Sequence, residues 1–214
     1  MVFDLIIRNK KKMKQPEPLL MAFQNAPLNS DVHAQTEFKN LQKKHNLKVA
    51  IETGTCLGYT TAFLATFYKE VRTVEISQEY LAIARANRLN EHSNIQTNLG
   101  SSSELMPALL KDCGNDTFVF LDAHWGDYCP LKAELQHIAK SGVEPVIAIH
   151  DFVVPNHHEL GYDSTHGQPF TFEWLKDSFD AIYGVDKYIY YYNQKAEGAK
   201  RGIIYIEPKI NESK

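Results

Sequence analysis

The chain has 214 residues, 43% of them hydrophobic and 23% charged, so it is long enough to bury the core of one large domain. Its formal net charge of -3 argues against a protein that coats nucleic acid or an anionic membrane. Three cysteines, Cys56, Cys113 and Cys129, are too few for a disulfide framework, and their spacing matches no zinc motif. Without a membrane-length apolar run or the charge order of a secretory signal, we expect a cytoplasmic protein.

The first 46 residues are predicted to form an arm and a helix that belong to the same domain as the rest. Pro16, Pro18 and Pro27 interrupt any earlier helix, whereas the apolar spacing predicts a helix over about residues 31–45. The arm could cover a site or mediate a homodimer, and the sequence favours neither.

From residue 47 onward, predicted strands and helices alternate. Strands are predicted at 48–54, 71–77, 94–100, 117–125, 144–152, 187–194 and 201–209, and helices at 59–69, 78–90, 103–113, 130–140 and 171–184. Alternation implies crossovers between parallel strands, but the last two strands have no helix between them and should pair antiparallel. The predicted fold is α/β, a doubly wound three-layer sandwich with a mostly parallel seven-stranded sheet and an antiparallel C-terminal hairpin.

Polar residues follow the predicted strands at the points where the strands end. They are Glu52, Glu75, Ser101, Ser102, Asp122, His124, His150 and Asp151. In a doubly wound sheet the ligand binds beyond the carboxyl ends of the strands, at the point where the strand order reverses. We therefore expect these side chains to collect around one ligand site.

The first strand-to-helix turn and the end of the second strand indicate a nucleoside ligand. Gly54 and Gly58 frame a turn that leads into a helix N-terminus, where free N–H groups attract an anion. Glu75 follows about 20 residues later, at the spacing where an acid accepts ribose hydroxyls. Glu52 adds an acid that can meet an ammonium group. A nicotinamide dinucleotide has no ammonium group and needs a G-x-G-x-x-G turn, so S-adenosylmethionine fits these residues better.

Five segments in this order resemble the class I S-adenosylmethionine-dependent methyltransferases, most closely the catechol O-methyltransferase-like branch. IETGTCLGYTT is similar to the first cofactor motif, TVEIS to the ribose-binding strand, and GSSSELMPALL to the adenine-side turn with its helix. VFLDAHWGDY resembles the L-D-H-W segment with one extra residue, and IHDFV resembles the end of the fifth strand. The similarity covers about residues 49–154.

The resemblance implies that residues 47–214 form an S-adenosylmethionine-binding methyltransferase domain of Rossmann-like fold. It places Glu52, Gly54 and Thr60 at the methionine part of the cofactor, Glu75 at the ribose hydroxyls, and Ile76, Ser102 and Trp125 around the adenine. Thr55, Gly58, Ser101 and Asp122 complete the expected cofactor-binding set.

The resemblance also implies a reacting end formed by Asp122 and Asp151, two positions that help bind magnesium in the family. The family's third metal ligand, an asparagine, is Phe152 here, and its general-base lysine is Gly126. Asp122, His124 and Asp151 still make a mixed oxygen and nitrogen set, which suits manganese or iron better than magnesium. Without a metal, His124 or Asp151 could take the proton of an acceptor hydroxyl.

Two further expectations concern residues around this reacting end. His150, one residue before Asp151, is predicted to point to the opposite face of the sheet as a packed structural histidine. The loop at 154–170 is the candidate cover for the acceptor, because long loops beside a site are often functional.

The sequence thus predicts an S-adenosylmethionine-dependent methyltransferase that acts on a hydroxyl oxygen of a small molecule or a sugar. The acceptor oxygen would displace the sulfonium directly. The alternative is a non-catalytic protein that kept the cofactor fold, because the family's lysine and asparagine are missing. A nicotinamide-dependent oxidoreductase lacks its pyrophosphate turn, and neither nucleic acid nor a membrane is an expected partner.

Overall fold

Seven strands form one sheet in a computed structural model that describes residues 25–126 and 128–209. The strands are β1 Val49–Thr53, β2 Glu70–Glu75, β3 Ile95–Leu99, β4 Thr117–Leu121, β5 Val146–His150, β8 Tyr188–Tyr192 and β9 Ile203–Pro208. Two short strands, β6 Ser164–Thr165 and β7 Gln168–Pro169, pair separately as a small hairpin. The strand order in the sheet is β3-β2-β1-β4-β5-β9-β8, with β1 to β5 mutually parallel.

The antiparallel C-terminal hairpin is confirmed, and its second strand lies inside the sheet. Strand β9 pairs antiparallel with both β5 and β8, which leaves β8 at the edge. The apolar run of β9 is buried on both faces, whereas Ile189 and Tyr190 of β8 are exposed. The more apolar strand therefore takes the covered position.

Six α-helices accompany these strands in the described part of the chain. They are α1 Val32–Lys44, α2 Tyr59–Ala65, α3 Gln78–Asn87, α4 Ser102–Leu109, α5 Leu131–Ser141 and α6 Phe172–Tyr183. Asp31, Ser77 and Thr171 cap α1, α3 and α6 by accepting a hydrogen bond from a backbone amide of the first turn. None of the described helices has the length and apolar character that crossing a bilayer requires.

Two hydrophobic cores, one on each face of the sheet, make the predicted three layers. Ile51, Leu121 and Ile149 face one core with α4, α5 and α6, because successive strand residues point to opposite faces. On the other face, Phe38 of α1 packs edge-on against Phe118, with ring centroids 4.8 Å apart. Helix α1 thus shares a core with the sheet, while the predicted arm at 1–24 lies outside the described residues.

Candidate functional site

The candidate site lies along the rim where the parallel strands end. Strand β1 pairs with β2 on one side and with β4 on the other, so the strand order reverses between β1 and β4. The expected site residues follow β1, β2, β3, β4 and β5, and their side chains divide into a β1–β2 half and a β4–β5 half.

The two glycines of the first turn are required by the packing of the chain itself. Gly54 has a φ of +87°, and a Cβ there would lie 2.4 Å from the carbonyl oxygen of Asp122. Gly58 has a φ of +80°, and a Cβ there would lie 3.0 Å from Leu89 and 3.1 Å from Ala84. A side chain at either position would meet protein atoms, so neither glycine serves chiefly to make room for a ligand.

Glu52, expected at the methionine part of the cofactor, and Thr55, expected in the cofactor-binding set, both point into the interior. Glu52 is 1% exposed, and its Oε2 accepts hydrogen bonds from the Thr73 hydroxyl, at 2.9 Å, and from the Thr61 hydroxyl. The Thr55 and Thr73 hydroxyls lie 2.6 Å apart. Burial raises the pKa of Glu52 to about 8, although the two threonine hydroxyls oppose this shift. These side chains form a buried network beneath the turn.

Thr60 is likewise engaged within the protein. Its Oγ1 accepts the backbone N–H of Leu28 at 3.0 Å, in the 3-10 turn Pro27–Ser30 that precedes α1. This contact differs from the expected one with the cofactor, because the segment before α1 packs against the start of α2.

Glu75 lies where an acid for the ribose was expected, at the end of β2 and beside the first turn. Its two carboxylate oxygens accept the backbone N–H groups of Cys56 and Ser77, each at 2.8 Å. Burial raises the pKa of Glu75, and these amide hydrogen bonds oppose the shift. Each carboxylate oxygen keeps a second lone pair that can accept a hydroxyl proton.

The side chains expected around the adenine combine exposed apolar surface with hydroxyl groups. Ile76 is 43% exposed and Trp125 is 41% exposed. Ser102 is buried at the start of α4, and its Oγ has no hydrogen-bond partner among the described residues. Ser101 Oγ lies 2.9 Å from the hydroxyl of Tyr128, a contact that the sequence reasoning missed. An indole ring and an aliphatic side chain with a few hydroxyl groups nearby are typical of a base-binding site.

In the β4–β5 half, His150 is buried on the α1 side of the sheet as predicted, with its ring edge-on to Phe120 at 6.1 Å, but its Nδ1 reaches the site, which the sequence did not predict. Its Nδ1 lies 3.2 Å from Asp122 Oδ1 and 3.2 Å from Asp151 Oδ2. Neither contact has the direction of a hydrogen bond, so this Nδ1, in a residue only 3% exposed, is without a partner in the described chain. The register explains the placement: Leu121 pairs with Ile149, so the next residues, Asp122 and His150, lie side by side.

His124 is buried beside Asp151, as expected for the reacting end. Its Nε2 lies 3.2 Å from Asp151 Oδ2, and its ring packs edge-on against Phe170 with centroids 4.8 Å apart. Burial lowers the pKa of His124, but the hydrogen bond and charge of Asp151 outweigh it and raise that pKa. For His150 the charges of Asp151 and Asp122 likewise overcome the effect of burial, and its pKa lies well above the ordinary value.

Arg201 is the main residue of this half that sequence reasoning missed. Its Nε donates to Asp151 Oδ1, and its Nη2 donates to Asp163 Oδ1. Burial would raise the pKa of Asp151, but His150, His124 and the Arg201 guanidinium hold it well below its usual range. A lone arginine before the apolar run of β9 carries no local signal of this role.

The two positions where the chain departs from the family motif also differ in the structure. Phe152 is fully buried in the core, so it stands where a metal ligand would be but faces apolar side chains. Gly126 has a φ of +59°, and a Cβ there would meet no described atom within 4 Å. The positive φ is typical of a tight turn, and a lysine at this position would have to adopt the same strained backbone conformation.

A divalent cation fits one group of side chains in this half. We call the group Asp122, His150 and Asp151 the cation position; one ligand atom from each of the three lies within 4.8 Å of the others. Ligand atoms in cis positions around such an ion lie roughly 3 Å apart, which the two 3.2 Å separations match. The expected set of Asp122, His124 and Asp151 is therefore split, because His124 groups with Asp151 and Asp163 instead.

Comparisons with known proteins find the fold in solved structures. No family model and no curated protein sequence matches the chain. The O-methyltransferase TomG from Streptomyces achromogenes, involved in tomaymycin synthesis and solved with SAM, superposes with a TM-score of 0.62 at 16% identity over 95% of this chain and 94% of its own. An O-methyltransferase from Bacillus cereus in complex with SAH superposes with a TM-score of 0.63 at 20% identity over 94% of this chain and 96% of its own.

A structure with another activity shares the same architecture. Precorrin 8w decarboxylase from Methanobacterium thermoautotrophicum superposes with a TM-score of 0.56 at 12% identity, over 87% of this chain and 95% of its own. The predicted Rossmann-like methyltransferase fold is confirmed by these likenesses. At such identities the fold alone is shared, and the reaction must be argued from the site.

Proposed function

We propose that the protein is an S-adenosylmethionine-dependent methyltransferase that methylates a hydroxyl oxygen of a small molecule or a sugar. The observation that carries the proposal is Glu75, a carboxylate fixed by two backbone amides at the end of β2, beside the exposed side chain of Ile76. On the same rim, the β4–β5 half supplies ionisable groups for an acceptor. A non-catalytic scaffold would not require these ionisable groups. No particular observation favours such a scaffold.

Three side chains would hold the cofactor. Glu75 accepts the ribose hydroxyls with its free lone pairs, and Ile76 and Trp125 flank the adenine. S-adenosylmethionine, when bound, supplies a methyl group already activated by its sulfonium. The protein therefore mainly aligns the acceptor and manages one proton.

The cation position would bind one divalent ion through Asp122, His150 and Asp151, and the ion would displace the proton that His150 otherwise holds there. A histidine in the set favours manganese or iron over magnesium, and the ion would supply a Lewis acid for the acceptor oxygen. The Asp122 side chain is 30% exposed, against 13% for Asp151, so an acceptor hydroxyl reaches Asp122 first. Asp122 Oδ1 faces His150, which leaves Oδ2 to accept the hydroxyl proton. His124 and Asp151 hold each other in place behind it.

A small acceptor suits the surface around this position. Tyr162 is exposed next to Asp163 in the sequence, and aromatic faces stack on sugars and on aromatic rings. We further place the protein in the cytoplasm, because its three cysteines are free in the structure and suit a reducing compartment.

Isothermal titration calorimetry with S-adenosylhomocysteine and S-adenosylmethionine tests the proposal. We expect micromolar dissociation constants for the wild type, a strong loss for Glu75→Ala, and no change for Glu79→Ala, which removes an exposed glutamate nearby. No binding of either nucleoside at high micromolar concentration would exclude the proposed activity. Binding without methylation of any hydroxyl in a broad acceptor panel would instead support the non-catalytic alternative.

A further inference from the structure

We propose that Arg201 is a built-in cation of the site: its guanidinium fills a second cation position and keeps metal ions out of it. We call this group of His124, Asp151 and Asp163 the arginine position. One ligand atom from each of the three lies within 4.8 Å of the others, so the group could bind a metal. The inference does not depend on methyl transfer.

The guanidinium bridges two carboxylates that come from different segments. Nε donates to Asp151 at the end of β5, and Nη2 donates to Asp163 in the loop at 154–170. A guanidinium stays charged at any physiological pH, and its planar fork suits two acceptors at once. Arg201 thus gives the arginine position a permanent positive charge that no metal ion needs to supply.

The surrounding backbone is shaped around this side chain. A Cβ at Gly161 would lie 2.7 Å from Nη1 of Arg201, so a larger residue there would push the guanidinium out of its present position. Gly161 donates to the carbonyl of Lys200 at 2.8 Å and accepts from the amide of Gly202 at 2.9 Å, which holds the two segments side by side. The Asp163 amide also donates to the carbonyl of Asp151 at 2.9 Å.

Asp151 belongs to both the cation position and the arginine position, and this limits how many ions the β4–β5 half can bind. Arg201 takes Oδ1 of Asp151, which directs Oδ2 toward His150 and the cation position. With the guanidinium in place, the β4–β5 half binds no more than one ion. Without it, the three side chains of the arginine position are free to bind another.

Counting bound Mn²⁺ by electron paramagnetic resonance tests this inference. Arg201→Gln should bind one more Mn²⁺ per chain than the wild type, whatever number the wild type binds. Arg201→Lys keeps a positive charge and should bind the wild-type number. Adding Asp163→Asn to Arg201→Gln should abolish the additional ion. Arg85→Gln is the matched control, because Arg85 is an exposed arginine that donates to Thr97 on the far side of β2.

Two results would overturn the inference: no additional ion in Arg201→Gln, or an additional ion that survives Asp163→Asn. Should circular dichroism show that Arg201→Gln does not fold, Arg201→Met takes its place, because it keeps the apolar stem of the side chain and removes the charge. An unchanged count in Arg201→Met would then overturn the inference. Loss of the proposed function would appear separately, as failure of the wild type to bind S-adenosylhomocysteine.

Discussion

The two halves of the rim satisfy their carboxylates in opposite ways. In the β1–β2 half, Glu52 and Glu75 accept hydrogen bonds from neutral hydroxyl and amide groups. In the β4–β5 half, Asp151 is surrounded by His124, His150 and Arg201. The pKa values follow this difference, since burial raises those of Glu52 and Glu75 whereas cationic neighbours lower that of Asp151.

This difference matches the separate tasks that we propose for the two halves. At Glu75, neutral backbone donors fix a carboxylate without cancelling its charge, which suits the proposed recognition of hydroxyl groups on an uncharged ribose. A cluster of carboxylates, imidazoles and a guanidinium can instead hold a cation or redistribute a proton during a reaction. The two halves meet where β1 pairs with β4, and just beyond that pairing the turn at Gly54 packs against the backbone of Asp122.

Breaking that junction should have the largest effect. Gly54→Ala places a Cβ 2.4 Å from the Asp122 carbonyl oxygen in a backbone of positive φ, so we expect a loss of at least about 3 kcal/mol of unfolding free energy. Gly142→Ala is the control: its φ is +74°, and no described atom lies within 4 Å of the added Cβ, so it should cost about 1 kcal/mol. Urea unfolding measures both, and equal losses would mean that the junction is not tightly packed.

The β1–β2 half should make stability depend on pH through Glu52. Its pKa is about 8 in the folded protein and 4.5 in a model peptide, so the folded state binds the extra proton between these values. Stability therefore falls as pH rises through this window, by up to ~1.4 kcal/mol per pH unit for this group. Glu52→Gln should show a flatter decline between about pH 5.5 and 8.5. The exposed Glu79→Gln should behave as wild type, and parallel curves for all three would contradict the assignment.

Cofactor affinity should depend on the β1–β2 half more than on Asp122. Glu75→Ala removes the proposed ribose acceptor, and we expect S-adenosylhomocysteine to bind about 30-fold more weakly, or ~2 kcal/mol. Asp122→Ala should change the affinity by less than about fivefold, because the Asp122 side chain faces His150. Isothermal titration calorimetry measures the S-adenosylhomocysteine affinity of both variants. Similar losses of affinity would show that the ribose does not bind at Glu75.

The alternation of predicted strands and helices along the chain was sufficient to predict the fold, because the local spacing of apolar residues identifies each buried strand and the helix that follows it. The polar residues that follow the predicted strands also indicated that the site lies along the rim where the strands end. Register was not predictable: the sequence does not state that Asp122 lies beside His150, since that follows from the pairing of Leu121 with Ile149. Arg201 was equally hidden, because Asp151 lies 50 residues away and the contact exists only in the folded chain.

The smallest expected effect concerns Thr60, which sequence similarity assigned to the cofactor and the structure joins to the segment before α1. Thr60→Val keeps the shape of the side chain but removes the acceptor for the Leu28 amide, so stability should fall by about 1 kcal/mol. Affinity for S-adenosylhomocysteine should change by less than about threefold, and Thr60→Ser should restore stability. A loss of affinity larger than the loss of stability would return Thr60 to the cofactor-binding set. The boundary of the β1–β2 half would then extend past the turn to the start of α2.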